Sequence, residues 1–244
     1  MNPIHGSQNI LLIFSGGYCM ALSAVLFDLD GTLIDTSPGI FKCVNKTLEE
    51  MHFPTLGEEL LGRYVGPPIY DAFRSVSGLA AADAQEAERR YRKEYAVTGV
   101  HEVRFYPGIR ELVALLHAEG VKLGVSTLKR ENMALIGLRE FGVLEYFDCV
   151  TGTQEGTKRT KADIIRLTLE QLGGIRPEEA VLIGDTSYDA VGAQEAGVKF
   201  MAVSFGFGFK NEKDLAGYPN IGLAHSAEEA ALLLRRNGLA QALI

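Results

Sequence analysis

The run Ala24-Val25-Leu26-Phe27-Asp28-Leu29-Asp30-Gly31-Thr32-Leu33-Ile34-Asp35-Thr36 decides how the rest of the chain is read. Ala24 to Phe27 form an apolar stretch with the character of a strand buried on both faces. The stretch stops on two acids with one residue between them. Alternate residues of an extended chain share a side, so the carboxylates of Asp28 and Asp30 are expected roughly 7 Å apart at most. Two acids at the tip of a buried strand are costly unless something cationic meets them. Magnesium suits the place, because it prefers oxygen ligands and keeps positions open for a phosphate. Gly31 supplies a turn and lets a ligand approach the backbone closely. Taken alone, an Asp-Gly pair would be read as a plain turn.

Further along, other apolar strands also end on polar residues. Val121 to Ser126 runs into Thr127, whose hydroxyl is placed either to donate to a phosphate oxygen or simply to end a strand. Ala180 to Gly184 runs into Asp185, with Asp189 one helical turn later. These acids are read either as helix N-caps or as partners of Asp28 in an oxygen cage. Between them lies Lys158-Arg159-Thr160-Lys161-Ala162-Asp163. A cation opening a helix opposes the helix dipole, so an anionic partner would explain Lys161. Lys158 is the alternative, and a solvated basic loop is the plainer reading.

Around these tips the chain alternates in type. Helical patterns are expected over 109–119, 130–141, 161–172 and 188–196, and strands over 121–127, 148–151, 180–184 and 198–204. Ser226 to Glu229 opens a last helix like a capping box. Such repeats imply an α/β, Rossmann-like core with a parallel sheet and helices on both faces. Ligands of such sheets bind beyond the carboxyl ends of the strands, where these polar residues fall. Residues 38–104 differ. Pro38 suits a helix first turn, and Ile40, Phe41, Val44 and Leu48 follow at helical spacing. Gly66-Pro67-Pro68 interrupts the pattern, and 81–95 reads as a solvent-washed helix. This segment is expected to form a bundle of about four helices inserted into the core, which then comprises 20–37 and 105–244. Residues 1–19 are expected to be an extension outside the fold, with Met20 as the natural start.

The 244 residues include 47% hydrophobic and 23% charged, ordinary values for a globular protein. A net charge of −7 argues against a general nucleic-acid or membrane-surface partner. Three cysteines at unrelated spacings make neither a disulfide framework nor a zinc site, which suits the cytoplasm. No apolar run approaches the length of a membrane span. The five histidines show no ligand spacing, Gly206-Phe207-Gly208 reads as a flexible loop, and no Gly-x-Ser-x-Gly elbow occurs.

The string Asp28-Leu29-Asp30-Gly31-Thr32-Leu33 resembles the first motif of the haloacid dehalogenase superfamily. Thr127, Lys161 and the string Gly184-Asp185 to Asp189 fall where that superfamily has its later motifs, and the likeness spans most of residues 21–244. It is nearest to the phosphoglycolate phosphatase-like branch, whose members carry a helical cap between the first two motifs. The resemblance implies Asp28 as a nucleophile that becomes an aspartyl-phosphate, and Asp30 as the acid and base. It implies Mg2+ held by Asp28, Asp185, Asp189 and the backbone carbonyl of Asp30. Thr127, Lys161 and Gly31 would bind the phosphate. The second motif departs from the pattern: close relatives often have Asn or Ser where Leu128 precedes Lys129. Asp30 argues for a phosphatase, since the dehalogenases lack this acid. Cap residues Arg63, Gly66 and Pro67 are expected to enter the site, and Arg63 and Arg74 to meet a second anionic group. The expected substrate is a small phosphorylated metabolite, the enzyme a monomer or homodimer. Alternatives are a nucleoside 5′-monophosphatase, a pyrophosphatase, or a sugar-phosphate mutase like β-phosphoglucomutase.

Overall fold

Strand β1 (Ala24–Phe27) is wholly buried and sits in the middle of a parallel sheet. The computed structural model describes residues 21–239; the expected extension and the expected start at Met20 lie outside them. On one side β1 pairs with β4 (Lys122–Arg130), which pairs with β5 (Cys149–Thr153). On the other it pairs with β6 (Ala180–Gly184), followed by β7 (Lys199–Val203) and β8 (Leu223–Ala224). The order is β5-β4-β1-β6-β7-β8, and every pairing is parallel. The two-residue β8 is too short to leave a pattern in the sequence.

The two-residue period of β1 feeds two separate cores. Ala24 and Leu26 face α7 (Lys161–Gln171) and α8 (Ser187–Ala196), packing with Ile165, Leu169 and Ala193. Val25 and Phe27 face α5 (Ile109–Ala118), α6 (Glu131–Glu140) and α9 (Ala227–Arg236), among them Leu112, Leu138 and Leu234. Burying such side chains on both faces stabilises the sheet by roughly 1.5–3 kcal/mol for each large one.

The segment between β1 and β4 leaves and re-enters through a small antiparallel pair, β2 (Ile34–Asp35) with β3 (Arg104–Phe105). Between them lie α1 (Ser37–Glu50), α2 (Glu58–Gly62), α3 (Ile69–Ser75) and α4 (Ala81–Val97). These helices have a core of their own, including Ile40, Val44, Leu61 and Phe73. Helix α4 is not solvent-washed: Ala84, Ala87, Tyr91 and Tyr95 are buried in that core. Their spacing of three and four places them on one face, although the surrounding Glu and Arg mask it. The opposite face carries Glu86 with Arg89 and Arg90, and Glu88 with Arg92, at 2.6–2.7 Å. Exposed pairs of this kind contribute about 0.3–0.5 kcal/mol each.

Candidate active site

The parallel register brings the tips of β1, β4 and β6 to one edge. Phe27 lies opposite Val125 on one side and Ile183 on the other. Asp28, Thr127 and Asp185 all follow within two residues of those positions. Asp28 and Asp185 are 6% and 0% exposed.

Asp28, Asp185 and Asp189 form one buried group, with a carboxylate oxygen from each lying within 4.8 Å of the others. Lys161, at the start of α7, reaches into it. Its Nζ is 2.5 Å from Asp28 Oδ1 and 2.6 Å from Asp189 Oδ1. The lysine's position comes from the helix start: Thr160 accepts from the Asp163 amide, and Asp163 accepts from the Thr160 amide. Lys158 is exposed, on the rim of a cavity beyond the acids. The two lysines the sequence left open are thus separated by burial and contact.

Asp189 serves two purposes at once. Its Oδ2 accepts from the Thr186 amide at 3.0 Å and the Thr186 hydroxyl at 2.8 Å, capping α8. Its Oδ1 meets Lys161. Asp185 is held by Thr32 Oγ1, which donates to Oδ1 at 3.5 Å, and by the Phe207 amide, which donates to Oδ2 at 2.7 Å.

Phe207 belongs to the loop read as flexible, and here the structure differs. Phe209 also donates its amide to the Asp185 carbonyl at 2.8 Å. A Cβ on Gly206 would lie 2.3 Å from Asp185 Oδ2, and one on Gly31 2.4 Å from the same oxygen. Gly31 also has a φ of +88°. The glycines are there because two backbones close on one carboxylate, a reason that sequence spacing does not carry.

Three buried carboxylates against one ammonium leave an excess of negative charge. Burial raises the pKa of Asp28, and Lys161 pulls it back only in part. Burial raises that of Asp185 well above the usual carboxylate range, with Asp189 and Asp28 adding to it. For Lys161, burial lowers the pKa, but Asp189 and Asp28 outweigh it and the net shift is upward. An all-oxygen, electron-rich donor set of this kind fits a hard divalent cation such as Mg2+. The Asp30 side chain is not in the trio. It turns instead to Lys129, whose Nζ donates to its two oxygens at 2.9 and 3.3 Å. Any share of Asp30 in an ion site therefore falls to its main chain.

Thr127 is buried, and its hydroxyl accepts from the Lys129 amide at 3.1 Å; it does not end the expected strand over 121–127, because β4 runs on to Arg130. Gly66 and Pro67 line a cavity of about 770 Å³ between the helical insert and the core, with Asp30 on its wall. Gly66 comes close to the core: a Cβ there would lie 3.0 Å from Thr186 Cγ2. Arg63 is not where it was expected. It is exposed just past α2 and does not line the cavity. Arg74 donates to the Leu79 carbonyl within the insert. The cationic side chains at the cavity are Arg92, Lys129, Arg130, Lys158 and Arg159. The sequence pointed to Lys158 and the basic loop beside Arg159, but not to their meeting Arg92, Lys129 and Arg130, because the five come from three separate segments.

Known proteins resemble this chain in sequence and fold. A family model described as haloacid dehalogenase-like hydrolase matches residues 25–203. The tyrosine-protein kinase PtkA of Mycobacterium tuberculosis is 36% identical over 185 residues, 75% of this chain; the match spans only 62% of that protein's length. A 5′-nucleotidase of Pseudomonas aeruginosa is 35% identical over 189 residues, 77% of this chain and 85% of the relative. A haloacid dehalogenase-like family hydrolase from Streptococcus pneumoniae superposes with a TM-score of 0.80 at 31% identity, covering 86% of this chain and 97% of its own.

Proposed function

Because the chain belongs to the haloacid dehalogenase-like hydrolases, we propose that it is a magnesium-dependent phosphatase of small phosphomonoesters. The observation that carries this reading is the buried trio Asp28, Asp185 and Asp189 sharing Lys161. Asp28 attacks phosphorus, and the bond from phosphorus to the leaving oxygen breaks, giving an aspartyl-phosphate. Asp30, on the cavity wall, has to be protonated against its ion pair with Lys129 and then gives that proton to the leaving oxygen. It then takes a proton from the water that attacks phosphorus and frees Asp28. Lys161, Thr127 and the amides around Gly31 bind the phosphoryl oxygens as their charge shifts. Asp28, Asp185, Asp189 and the Asp30 carbonyl would hold Mg2+, which would offset charge on the phosphoryl group.

In this reading the helical insert is a cap, with Gly66 and Pro67 at the leaving group. The setting is the cytoplasm, the protein a monomer or homodimer with no nucleic-acid or membrane partner. Phosphoglycolate is one candidate substrate. The cavity favours a second reading, a nucleoside 5′-monophosphate. At about 770 Å³, it lies in the range of roughly 300–1,000 Å³ that suits ligands of drug size. Half-buried Tyr70 lines it, with Tyr64, Tyr91 and Tyr95 packed behind, and an aromatic wall suits a base better than a two-carbon acid.

A panel of phosphorylated metabolites with Mg2+ tests both readings by phosphate release. Faster turnover of nucleoside monophosphates than of phosphoglycolate is expected. Interconversion of glucose phosphates without phosphate release would instead make the protein a mutase. ATP-dependent tyrosine phosphorylation without phosphatase activity would favour the transferase named in PtkA.

The trio also predicts how Mg2+ acts on stability. A carboxyl whose folded pKa is raised binds its proton more tightly in the fold than in the unfolded chain. Its contribution is therefore present at low pH and is lost as pH rises above the ordinary carboxylate range near about 4. Asp28 and Asp185 are both of this kind. The magnesium-free protein should lose thermal stability between pH 5 and pH 8, taken as roughly the span in which these acids ionise. Millimolar Mg2+ should raise the Tm by more at pH 8 than at pH 5. Equal shifts at both pH values in a thermal melt would contradict the assignment of the trio as its ligands.

A further inference from the structure

Lys129 has no part in the chemistry above, yet its ammonium meets Asp30 and Tyr95 at once. It donates to both oxygens of Asp30, at 2.9 and 3.3 Å. It donates to the Tyr95 hydroxyl at 2.8 Å and sits 4.5 Å from the centroid of that ring. Its side chain is 11% exposed and that of Asp30 13%. Burial lowers its pKa, but Asp30 and Tyr95 outweigh this and keep it charged.

The backbone is shaped to put it there. Strand β4 loses register against β5 between Ser126 and Arg130. Ser126 lies opposite Thr151 and Arg130 opposite Thr153, so Thr127, Leu128 and Lys129 face Gly152 alone. A bulge of this kind re-aims side chains that a regular strand would send to alternate faces. Gly152 makes room for it: a Cβ would lie 2.7 Å from the Lys129 carbonyl and from the Glu131 amide. Thr153 Oγ1 ties the bulge by donating to the Leu128 carbonyl at 3.2 Å. Lys129 and its two partners come from different parts of the fold. Asp30 follows β1, Lys129 lies in the last part of β4, and Tyr95 belongs to α4 of the helical insert.

We propose that Lys129 is a positioning residue for Asp30, holding its carboxyl at the cavity wall, and that Tyr95 makes this hold depend on the insert being seated over the core. The proposal rests on the phosphatase reading above. Asp30 lies in a loop, and proton donors must be held within roughly 0.5 Å to act well. A displacement of about 1 Å can cost around 100-fold in rate. With the insert lifted, Tyr95 would leave, and Lys129 would lose one of its two fixed partners.

The test compares leaving groups. Loss of an alcohol needs a proton, whereas p-nitrophenolate leaves as a stable anion. The ratio kcat/KM reports steps from free enzyme up to formation of the phosphoenzyme, so it isolates the proton-donating half. In Lys129→Met, kcat/KM for phosphoglycolate and adenosine 5′-monophosphate should fall roughly 100-fold. For p-nitrophenyl phosphate the fall should be about fivefold or less. Lys129→Arg should restore part of the loss, and Tyr95→Phe should show a smaller loss of the same selectivity. Equal losses for all substrates, or a rise in KM alone, would overturn the proposal. Should Lys129→Met fail to fold, Lys129→Gln and Tyr95→Phe take its place, and an unchanged substrate ratio in both decides against it. Wild-type protein that turns over none of these esters would refute the phosphatase reading instead.

Discussion

Asp28→Asn is expected to abolish turnover of p-nitrophenyl phosphate, with kcat falling by on the order of 10⁴-fold or more. The amide is nearly the same size as the carboxylate and fits the same buried place. It lacks the charge that makes Asp28 a nucleophile, and it offers a weaker ligand to a divalent cation. The fold should survive, because Lys161 keeps its second partner, Asp189, at 2.6 Å. One buried carboxylate fewer also lowers the repulsion that raises the pKa of Asp185. The magnesium-free variant should therefore melt no lower than wild type at pH 8. Phosphate release and a thermal melt measure the two effects. Ordinary turnover by a folded Asp28→Asn protein would remove Asp28 as the nucleophile.

Lys161→Ala is expected to lower kcat/KM by roughly 10²–10³-fold, while Lys158→Ala stays close to wild type. Lys161 is 5% exposed and touches two carboxylates. Removing one partner of a buried ion pair costs about 3–5 kcal/mol, because the other charge is left without compensation. Here two carboxylates are left so, and the melting temperature should fall along with activity. Lys158 is exposed on the cavity rim, where losing a cation costs little stability. If Lys158→Ala were the crippled variant and Lys161→Ala nearly normal, the phosphate-binding lysine would have to be moved to Lys158.

Much of the core was readable because short-range patterns dictate it. β1 and β6 are short apolar stretches rich in branched side chains that run into an acid, and both are buried strands. The helices α7 and α8 were expected close to where they stand, though their N-caps are Thr160 and Thr186, paired with Asp163 and Asp189, and not the aspartates themselves. Elements without such patterns were misread. Helix α4 hides a buried face of Ala and Tyr among salt-bridged Glu and Arg. Strand β4 runs on past Thr127 through a bulge whose cause is Gly152, more than twenty residues away. Arg63 was expected at the site because it neighbours the loop of Gly66 and Pro67. It points out to solvent, since a neighbour in sequence need not share a direction.

Asp28, Asp30, Asp185 and Asp189 stand out in the chain because apolar strands run into them, whereas Thr127 and Lys161 were singled out only with the help of the family resemblance. What each one touches was decided by folding. The parallel register set Asp28 beside Asp185, the start of α7 put Lys161 between Asp28 and Asp189, and the loop around Gly206 closed over Asp185. Asp30 went to Lys129, which also holds the Tyr95 hydroxyl, in place of the other acids. Residue type and local spacing determine which groups can act. Charge compensation and close packing act between segments far apart in the chain, so only the assembled structure determines which groups meet.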